Sequence, residues 1–481
     1  MIPLTLGEVA DLTGGRLWVS DALSRRGITD PGRIVIDGSV VTDSRQMWPA
    51  GLYVARIGEH ADGHSYVSAA YERGAAAALT SRPVDELPCV VVPDVQVAFG
   101  QLARGVLDRA HDLTVIAVTG SSGKTSTKDL LWHVLRQTGR TVAARDSLNG
   151  EVGVPLTVCR ITTDTRFLVV EMGARGIGHL RYLTQVAPPD IGVVLNVGAA
   201  HVGEFGSREN TARAKAELVE ALGPDGVAVL NADDAVVAAM AGRCQGRVVL
   251  VGESPEASIR AADVSLDPLG RASFRVFTPR GEAPATLALH GRHHVGNALA
   301  VIAVGLECGM PLADLTAALA TARPASRWRM EVTDRPDGVT IVNDAYNANP
   351  DSMAAALQAL AAMRTGADGS ARRTWAVLGE MLELGDAARA EHEQVGELAA
   401  RLGVTHIVAV GDGARGIEAG ARAAAAAGEV SWLPDVDTAY DYVHQHCRAG
   451  DVVLLKSSRD AGLRWLGDRL SVAMGTAEGA T

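Results

Sequence analysis

Apolar and polar positions alternate along the chain in blocks that predict three α/β units. Over residues 1–110, short strand-like runs such as VTDSR, LYVARIG and CVVVPDV alternate with Ala-rich stretches such as YVSAAYERGAAAAL. From Leu113 the pattern changes to continuous apolar runs, TVIAVTG, RFLVVEMG and DIGVVLNVG, separated by segments of helical length. Such runs are typical of parallel strands buried on both faces and joined by crossover helices. They predict a nucleotide-binding sheet in the centre of the chain.

A third stretch repeats this theme with the runs VTIVNDAY, TWAVLGEM, THIVAVGD and DVVLLKSS. The segment ARPASRWRM, which has a proline between a helical pattern and the next strand, marks the join. A chain of 481 residues also exceeds one ordinary hydrophobic core. We therefore predict an α/β fold with three domains: a small α/β N-terminal domain over residues 1–110, a central P-loop ATPase-like parallel sheet over 111–323, and a C-terminal Rossmann-like domain over 324–481.

Composition narrows the possible functions. Hydrophobic residues at 47% and charged residues at 21% are typical of a globular protein, and no apolar run is long enough to span a bilayer. The start of the chain lacks the basic leader and apolar core of a secretory signal, so we expect a cytoplasmic protein. A net charge of -11 disfavours a nucleic-acid partner, and five scattered cysteines without CxxC spacing disfavour a zinc knuckle or a disulfide framework.

Lysine is rare in this chain. The 45 basic residues comprise 41 arginines and four lysines, Lys124, Lys128, Lys215 and Lys456. Arginine is planar and permanently charged, whereas lysine is a compact ammonium that can lose its proton and act as a nucleophile. The four lysines are therefore candidates for chemistry that a guanidinium cannot perform, although chance alone could also have left them.

The strongest local motif is a Gly-rich turn after the strand TVIAV and before a helical stretch beginning at Ser126. Its residues are Thr119, Gly120, Ser121, Ser122, Gly123, Lys124 and Thr125. Backbone N–H groups at a helix N-terminus bind phosphate, Lys124 would meet the β- and γ-phosphates, and Thr125 would hold Mg²⁺. Val118 stands in place of the first glycine of the generic pattern. The alternative interpretation, a Gly-rich turn with an incidental lysine and no phosphate site, therefore stays open.

Two further polar residues follow predicted strands. Glu171 ends the run RFLVVE, and His201 follows the next strand, so both belong at the carboxyl edge of a parallel sheet, where ligands bind. Alone, each is weak evidence, because a strand-end glutamate is often a helix cap and a lone histidine is usually structural.

The motifs together resemble the Mur ligase family and its folylpolyglutamate synthetase relatives. The resemblance covers Val41 to about Arg459. It rests on TGSSGKT, SLNGEVGVPLTV, EMGARGIGHL, NVGAAHVGEFGSRENTARAKAELV, GRHHVGNALAVIAV, SRWRMEV, NDAYNANPDSM, LGEMLELG and LLKSSR, in the family's order.

The resemblance implies an ATP-dependent ligase that phosphorylates a carboxylate and lets an amine attack the acyl phosphate. NDAYNANPDSM, together with the absence of the DNPR motif of the diaminopimelate- or lysine-adding member, implies addition of D-alanyl-D-alanine to a UDP-N-acetylmuramoyl-tripeptide. That reaction gives the pentapeptide precursor of peptidoglycan. A monomer with ATP and Mg²⁺ as cofactors is expected.

The resemblance also assigns roles to residues. Thr125, Glu171, His201 and a carbamylated Lys215 would hold Mg²⁺, with Lys124, His201, Lys215 and Arg329 as the catalytic set. Asn297 would approach the adenine, Arg329 the γ-phosphate and Asp344 the ribose. Lys128 is expected on the exposed face of its helix. Substrate contacts are expected from Ser44, Arg45, Asn149, Tyr346, Asn347, Asn349, Lys456 and Arg459.

Three positions depart from the family pattern: Leu148, His294 and Ser457. We expect Leu148 and Ser457 near substrates and His294 near the adenine. A divergent family member that joins a related amine therefore stays open, as do a P-loop regulatory ATPase and a pure binding protein. Turnover that requires both carboxylate and amine would distinguish the ligase from the last two.

Overall fold

The structure is a computed structural model that describes residues 1–198, 207–366 and 368–472. Its strands form a two-stranded sheet and three larger sheets of five, nine and six strands. The predicted α/β class with successive parallel sheets is confirmed. The domain boundaries themselves stay a prediction.

The first unit contains a five-stranded sheet in the order β2-β7-β6-β5-β4, parallel except for β2, and a small antiparallel pair of β1 and β3. The strands are β1 Leu4–Thr5, β2 Arg16–Trp18, β3 Val35–Ile36, β4 Val40–Val41, β5 Gly51–Val54, β6 Ala75–Thr80 and β7 Cys89–Val91. The helices are Leu6–Thr13, Asp21–Arg25, Val67–Glu72 and Val95–Leu107.

One Ala-rich stretch of this unit holds two kinds of element. Its first half forms the helix Val67–Glu72, and its second half forms the buried strand β6. Gly74 separates them with a φ of +90°, a left-handed conformation that glycine adopts without strain.

The central sheet has nine strands in the order β16-β15-β14-β13-β12-β11-β8-β10-β9. Strands β8 to β14 run parallel, and β15 and β16 extend the sheet as an antiparallel hairpin that the sequence pattern did not predict. The strands are β8 Thr114–Thr119, β9 Arg140–Ala143, β10 Thr165–Glu171, β11 Ile191–Val194, β12 Val227–Asn231, β13 Arg247–Gly252, β14 Ile259–Leu266, β15 Arg271–Thr278 and β16 Gly281–His290. The helices are Lys124–Leu135, Gly153–Val158, His179–Val186, Arg208–Glu220, Ala235–Ala238, His294–Glu307 and Leu312–Leu319.

The third sheet has six strands in the order β17-β18-β22-β19-β20-β21, of which only β17 is antiparallel. The strands are β17 Glu331–Asp334, β18 Thr340–Asn343, β19 Thr374–Leu378, β20 His406–Val410, β21 Glu429–Leu433 and β22 Val452–Lys456. The helices are Pro350–Ala362, Ala388–Arg401, Arg415–Ala423, Val436–His446 and Leu463–Ser471.

Hydrophobic packing joins the first two units. Phe99 and Leu102 of helix Val95–Leu107 lie in one buried cluster with Val115 and Ala117 of β8. The third sheet instead has its own cluster on each face. The first unit is therefore packed firmly on the central sheet, whereas the third is joined through fewer contacts at the cleft described below. Within the described ranges, no helix has the length and apolar character needed to cross a membrane.

Candidate active site

Three neighbouring strands of the central sheet bring the phosphate-loop residues together with Glu171. Strand β8 lies between β10 and β11, and in this register Glu171 is beside Val118 and Val194 is beside Thr119. All three strands end at the same edge, as parallel strands joined by crossover helices must. The structure therefore places Glu171 next to the Gly-rich turn, as expected from its place at the end of a strand.

The Gly-rich turn leads directly into a helix. The helix begins at Lys124, two residues earlier than the predicted start at Ser126, because the turn itself ends at Gly123 with a φ of +80°. Gly123 has no room for a side chain, since a Cβ atom there would lie 2.7 Å from Oδ1 of Asn297. Lys124 and Thr125 of the first helical turn line the cleft, and the unpaired N–H groups at a helix N-terminus suit a phosphate group.

Asn196 holds the turn in place, although the sequence analysis did not identify it. Its Oδ1 accepts hydrogen bonds of 2.9 Å from the backbone N–H groups of both Ser121 and Ser122. The Oγ of Ser121 in turn accepts from the N–H of Gly198 at 2.9 Å. A polar residue directly after the buried run IGVVL was the available signal, because such a residue must lie at the functional edge of the sheet.

Thr125 and Glu171 form the centre of the site. The Thr125 hydroxyl donates to Oε2 of Glu171 at 2.9 Å, and the side-chain amide of Asn149 donates to Oε1 at 2.8 Å. Glu171 is only 1% exposed. The hydroxyl of Ser147, which the sequence analysis missed, lies 3.2 Å from that of Thr125. This arrangement concentrates oxygen atoms beside the phosphate loop.

Arg329 reaches this centre from the segment that joins the central and third units. Its Nη2 donates to the hydroxyls of Thr125 at 3.3 Å and Ser147 at 3.1 Å, and its guanidinium lies 4.4 Å from the ring centre of Tyr346. Its Nε is buried and has no hydrogen-bond partner among the described residues. An unpaired buried donor in a cleft is suited to an anionic ligand.

Lys215 lies on helix Arg208–Glu220, lines the same cleft and is 3% exposed. Burial lowers its pKa to about 7, and the positive charge of Lys124 acts in the same direction. A large fraction of the amine is therefore neutral near neutral pH. His201, the predicted metal ligand, lies outside the described residues.

Asp344 and Lys456 form a buried pair at the edge of the third sheet. Lys456 donates to Oδ2 of Asp344 at 2.6 Å and to the carbonyl of Asn347 at 3.1 Å, while Oδ1 of Asp344 accepts from the N–H of Met330 at 3.0 Å. Each carboxylate oxygen of Asp344 therefore accepts one bond from the protein and keeps a free lone pair. Because Asp344 also lines the cleft, its predicted role at the ribose stays a prediction.

The other predicted residues divide into two groups. Asn297, Tyr346, Asn347, Asn349 and Arg459 line the cleft, and the amide of Asn349 reaches the carbonyl of Ser121 at 3.5 Å. Ser44 and Arg45 do not line it, and Arg45 instead forms an exposed ion pair with Asp43 at 2.8 Å.

The three positions that depart from the family pattern differ in where they lie relative to the cleft. Leu148 lines the cleft, as expected. Ser457 is fully buried and donates to the carbonyl of Ser458 at 2.9 Å; it does not itself line the cleft, whereas its neighbours Lys456 and Ser458 do. His294 lies beside Asn297, whose amide is 3.3 Å from its Nδ1, and burial holds the pKa of His294 well below its ordinary value.

Lys128 contradicts the sequence-based expectation. We expected it on the exposed face of its helix, but it is 2% exposed and pairs with Asp129 at 2.6 Å. The segment between the two large sheets folds back over this face of the helix, which a helical pattern alone does not reveal. The rarity of lysine was the sequence signal that Lys128 belongs near the site, because the other three lysines, Lys124, Lys215 and Lys456, line the cleft and Lys128 lies directly behind it.

The cleft itself has a volume of about 1090 Å³ and draws residues from all three units, including Arg56 and Glu59 of the first. This volume exceeds that of an ordinary small-molecule pocket, which suits more than one substrate. No cluster of three or more His, Cys, Asp or Glu side chains with metal-site geometry occurs in the described part of the chain.

Comparison with known families gives three consecutive matches. Residues 38–105 match the model described as Mur ligase family, catalytic domain, residues 118–305 the Mur ligase middle domain, and residues 328–459 the Mur ligase glutamate ligase domain.

Similar proteins of known name agree with these matches. The chain is 44% identical to the UDP-N-acetylmuramoyl-tripeptide--D-alanyl-D-alanine ligase of Mycobacterium tuberculosis, with 98% of each chain covered. It is 34% identical to the Escherichia coli ligase of the same name, over 85% of this chain and 86% of that one.

Solved structures show the same similarity in three dimensions. A crystal structure of MurF from Acinetobacter baumannii superposes with a TM-score of 0.85 at 30% identity, covering 98% and 99% of the two chains. That of the Thermotoga maritima MurF ligase in complex with ADP gives 0.78 at 25% identity, covering 91% and 97%.

Proposed function

This chain belongs to the Mur ligase family, and we propose that its cleft joins D-alanyl-D-alanine to a UDP-N-acetylmuramoyl-tripeptide with consumption of ATP. The observation that carries the proposal is the meeting of Arg329 with Thr125, because it unites the phosphate loop with the third unit in one site. The three family matches and the 44% identical relative confirm the family resemblance seen in the motifs. The similarity to the Mycobacterium tuberculosis ligase covers 98% of each chain, which favours this reaction over that of a divergent family member.

ATP would bind with its phosphates on the turn from Gly120 to Thr125. Lys124 lies within this turn, and its Nζ donates to the carbonyl of Gly120 at 2.7 Å, a bond that a phosphate oxygen could replace. Burial lowers the pKa of Lys124, while the carboxylate of Glu171 opposes that effect. Asn297, which lies beside Gly123 at the end of the turn, would lie toward the nucleoside.

The site is also suited to Mg²⁺. Thr125 and Glu171 supply a hydroxyl and a buried carboxylate 2.9 Å apart, which are the hard oxygen ligands that this ion prefers. Few protein ligands suffice, because Mg²⁺ keeps waters and binds substrate phosphates. When bound, the ion would neutralise charge that develops on the transferring phosphate.

The chemistry would proceed in two steps. A carboxylate oxygen of the tripeptide attacks the γ-phosphorus of ATP, ADP leaves, and an acyl phosphate results. The amine of D-alanyl-D-alanine then attacks the acyl carbon, loses a proton, and phosphate leaves as the amide bond forms. Lys124 and Arg329 both line the cleft beside Thr125, so both would place positive charge near the transferring group, and such pre-positioned charge lowers a phosphoryl-transfer barrier.

We further propose that Lys215 is carbamylated. In carbamate formation the neutral amine adds to CO₂ and loses one proton to solvent, and burial provides the neutral amine by lowering the pKa of Lys215 to about 7. The carbamate on Lys215 would be an anion that faces the cleft beside Lys124. The two residues would then carry opposite charges instead of two positive ones. An arginine could not undergo this reaction.

The remaining assignments are proposals of the same kind. The first unit would hold the UDP-sugar end of one substrate, and the third unit the incoming dipeptide near Tyr346, Asn347, Asn349 and Arg459, which line the cleft on that side. His201 would contribute to the metal site. A cytoplasmic location is proposed, because ATP and UDP-linked precursors are cytoplasmic metabolites; a monomer stays a prediction.

The test is ADP release over a panel of UDP-N-acetylmuramoyl-peptides and dipeptides. We expect release only when a tripeptide substrate and D-alanyl-D-alanine are both present, with a pentapeptide product detected by mass spectrometry. Release without an amine would instead indicate a regulatory ATPase, and preference for another amine would indicate a divergent member of the family.

A further inference from the structure

A buried polar cluster lies directly behind the candidate active site. We name it the Lys128 anchor, and it consists of Lys128, Asp129 and Ser326. The ammonium of Lys128 lies 2.6 Å from Oδ1 of Asp129 and 3.3 Å from Oγ of Ser326. Oδ2 of Asp129 accepts from the backbone N–H of Ser326 at 2.9 Å. The three residues therefore form a closed ring of contacts.

The ring joins three segments that all lead into the site. Lys128 also donates to the carbonyls of Ala144 at 2.9 Å and Asp146 at 3.2 Å, and Asp146 directly precedes Ser147. Lys128 itself is one helical turn after Thr125. Ser326 lies three residues before Arg329. The anchor thus holds the backbone near Arg329 and near both hydroxyls to which Arg329 donates.

The backbone around Arg329 is strained. Trp328 and Met330, its two neighbours, have φ values of +58° and +49°, and Asp146 also has a φ of +49°. Side chains other than glycine rarely adopt this left-handed conformation, and it persists only where surrounding contacts hold it. The contacts here include that of Ser326 with Asp129 on one side and that of the N–H of Met330 with Asp344 on the other. Between them, Trp328 donates from its backbone N–H to Glu331 at 3.0 Å and from its Nε1 to Asp468 at 2.9 Å.

We propose that Lys128 and Asp129 are positioning residues that place Arg329 over Thr125 and Ser147. Neither lines the cleft, so they act through the backbone segments that carry Arg329 and Ser147. A lysine suits this task, because its compact ammonium donates to carbonyls and a carboxylate in three dimensions, whereas a guanidinium directs all its donors within one plane. The link to catalysis, though not the anchor itself, rests on the proposed role of Arg329 at the γ-phosphate.

The test uses the full chain with the double substitution Lys128→Met and Asp129→Asn. These side chains keep the volume while removing both charges, and replacing a whole buried ion pair is tolerated better than removing one partner. Ser326→Ala serves as the second variant if the double one does not fold, because it removes the contact of Lys128 with the connecting segment and leaves the buried ion pair intact. The matched control is His133→Ala, because His133 on the same helix contacts Thr321 of the same connecting segment, with 3.4 Å between Nε2 and Oγ1.

The first measurement is amide hydrogen exchange, which does not depend on activity. We expect exchange over residues 326–330 to become roughly tenfold faster in the anchor variant, with strands β18 and β22 unchanged, and no such change in His133→Ala. Unchanged exchange over residues 326–330 would overturn the proposal.

The second measurement is a double-mutant cycle on kcat with Arg329→Ala. We expect the anchor variant to lose about tenfold in kcat, and to lose nothing further when Arg329 is already alanine, because residues that act through one another are not additive. Fully additive losses would reject the positioning role. If Arg329→Ala retains wild-type kcat, the proposed γ-phosphate contact fails, and the anchor is then decided by hydrogen exchange alone.

Discussion

Lys456 donates a 2.6 Å hydrogen bond to the carboxylate of Asp344, and both side chains are buried. Asp344 follows strand β18, and Lys456 ends the adjacent strand β22. The pair therefore lies at the carboxyl edge of the third sheet, facing the cleft. Two positions predicted as separate ligand contacts form one structural unit.

Breaking this pair should destabilise the third unit. Asp344→Asn leaves the ammonium of Lys456 buried without a counter-charge, which costs about 3–5 kcal/mol. The free energy of unfolding from urea titration measures this. Glu393→Gln, which breaks the exposed pair with Arg389, is the control and should cost less than about 1 kcal/mol. Equal effects in the two variants would contradict the importance of burial.

Removing the phosphate-loop lysine should abolish turnover without unfolding the protein. Lys124→Ala loses one bond to the carbonyl of Gly120 and the cation that would meet the transferring phosphate. ADP release measures activity, and circular dichroism checks the fold. A loss smaller than tenfold, equivalent to about 1.4 kcal/mol of barrier, would exclude Lys124 from the mechanism.

Substitutions at Lys215 distinguish a carbamate from an ordinary cation. Lys215→Arg should be nearly inactive at saturating Mg²⁺, because arginine keeps the positive charge but cannot become an anionic ligand. Lys215→Ala should be equally inactive but regain ligase rate with acetate or formate, which supply carboxylate oxygen. Arg213→Lys, on the exposed side of the same helix, is the matched control and should keep full activity. An active Lys215→Arg enzyme would refute the carbamate.

The same lysine should make stability depend on pH. Its pKa falls from 10.5 in the unfolded chain to about 7 in the folded one, so between these values the unfolded chain binds more protons. Stability contributed by this group therefore rises with pH over that window and is lowest below about pH 7. In buffer free of CO₂ and Mg²⁺, wild type should gain stability relative to Lys215→Met from pH 7 to 9.5. A difference that is constant over this range would contradict the lowered pKa.

Ligands should hold the third unit against the central one. The contacts of Arg329 with Thr125 and of Asn349 with Ser121 are among those that cross this boundary. Nucleotide and UDP-substrate together should therefore give small-angle scattering that matches the present arrangement and is more compact than that of the free protein. With the same ligands, the Arg329→Ala variant should become less compact than wild type does. Scattering profiles that ligands leave unchanged would argue against closure.

Local sequence determined the strands that carry the site and the turn that would bind phosphate. Continuous apolar runs predicted β8, β10, β11, β18, β19, β20 and β22. A strand buried on both faces is apolar at nearly every position, so its own sequence is enough to identify it. Glu171 was placed correctly at a strand end for the same reason. The Gly-rich turn was recognisable because its backbone conformation requires glycine at Gly123.

Only the tertiary structure decided which polar residues meet. Lys128 and Ser326 are 198 positions apart, and Lys456 and Asp344 are 112 apart, so no local pattern could have paired them. Lys128 lies on a helix whose sequence suits an exposed face, yet the connecting segment covers it. Asn196 and Ser147 likewise become functional candidates only because the order of β11, β8 and β10 brings their loops together. Burial and charge pairing depend on contacts between distant segments, and those contacts exist only in the folded chain.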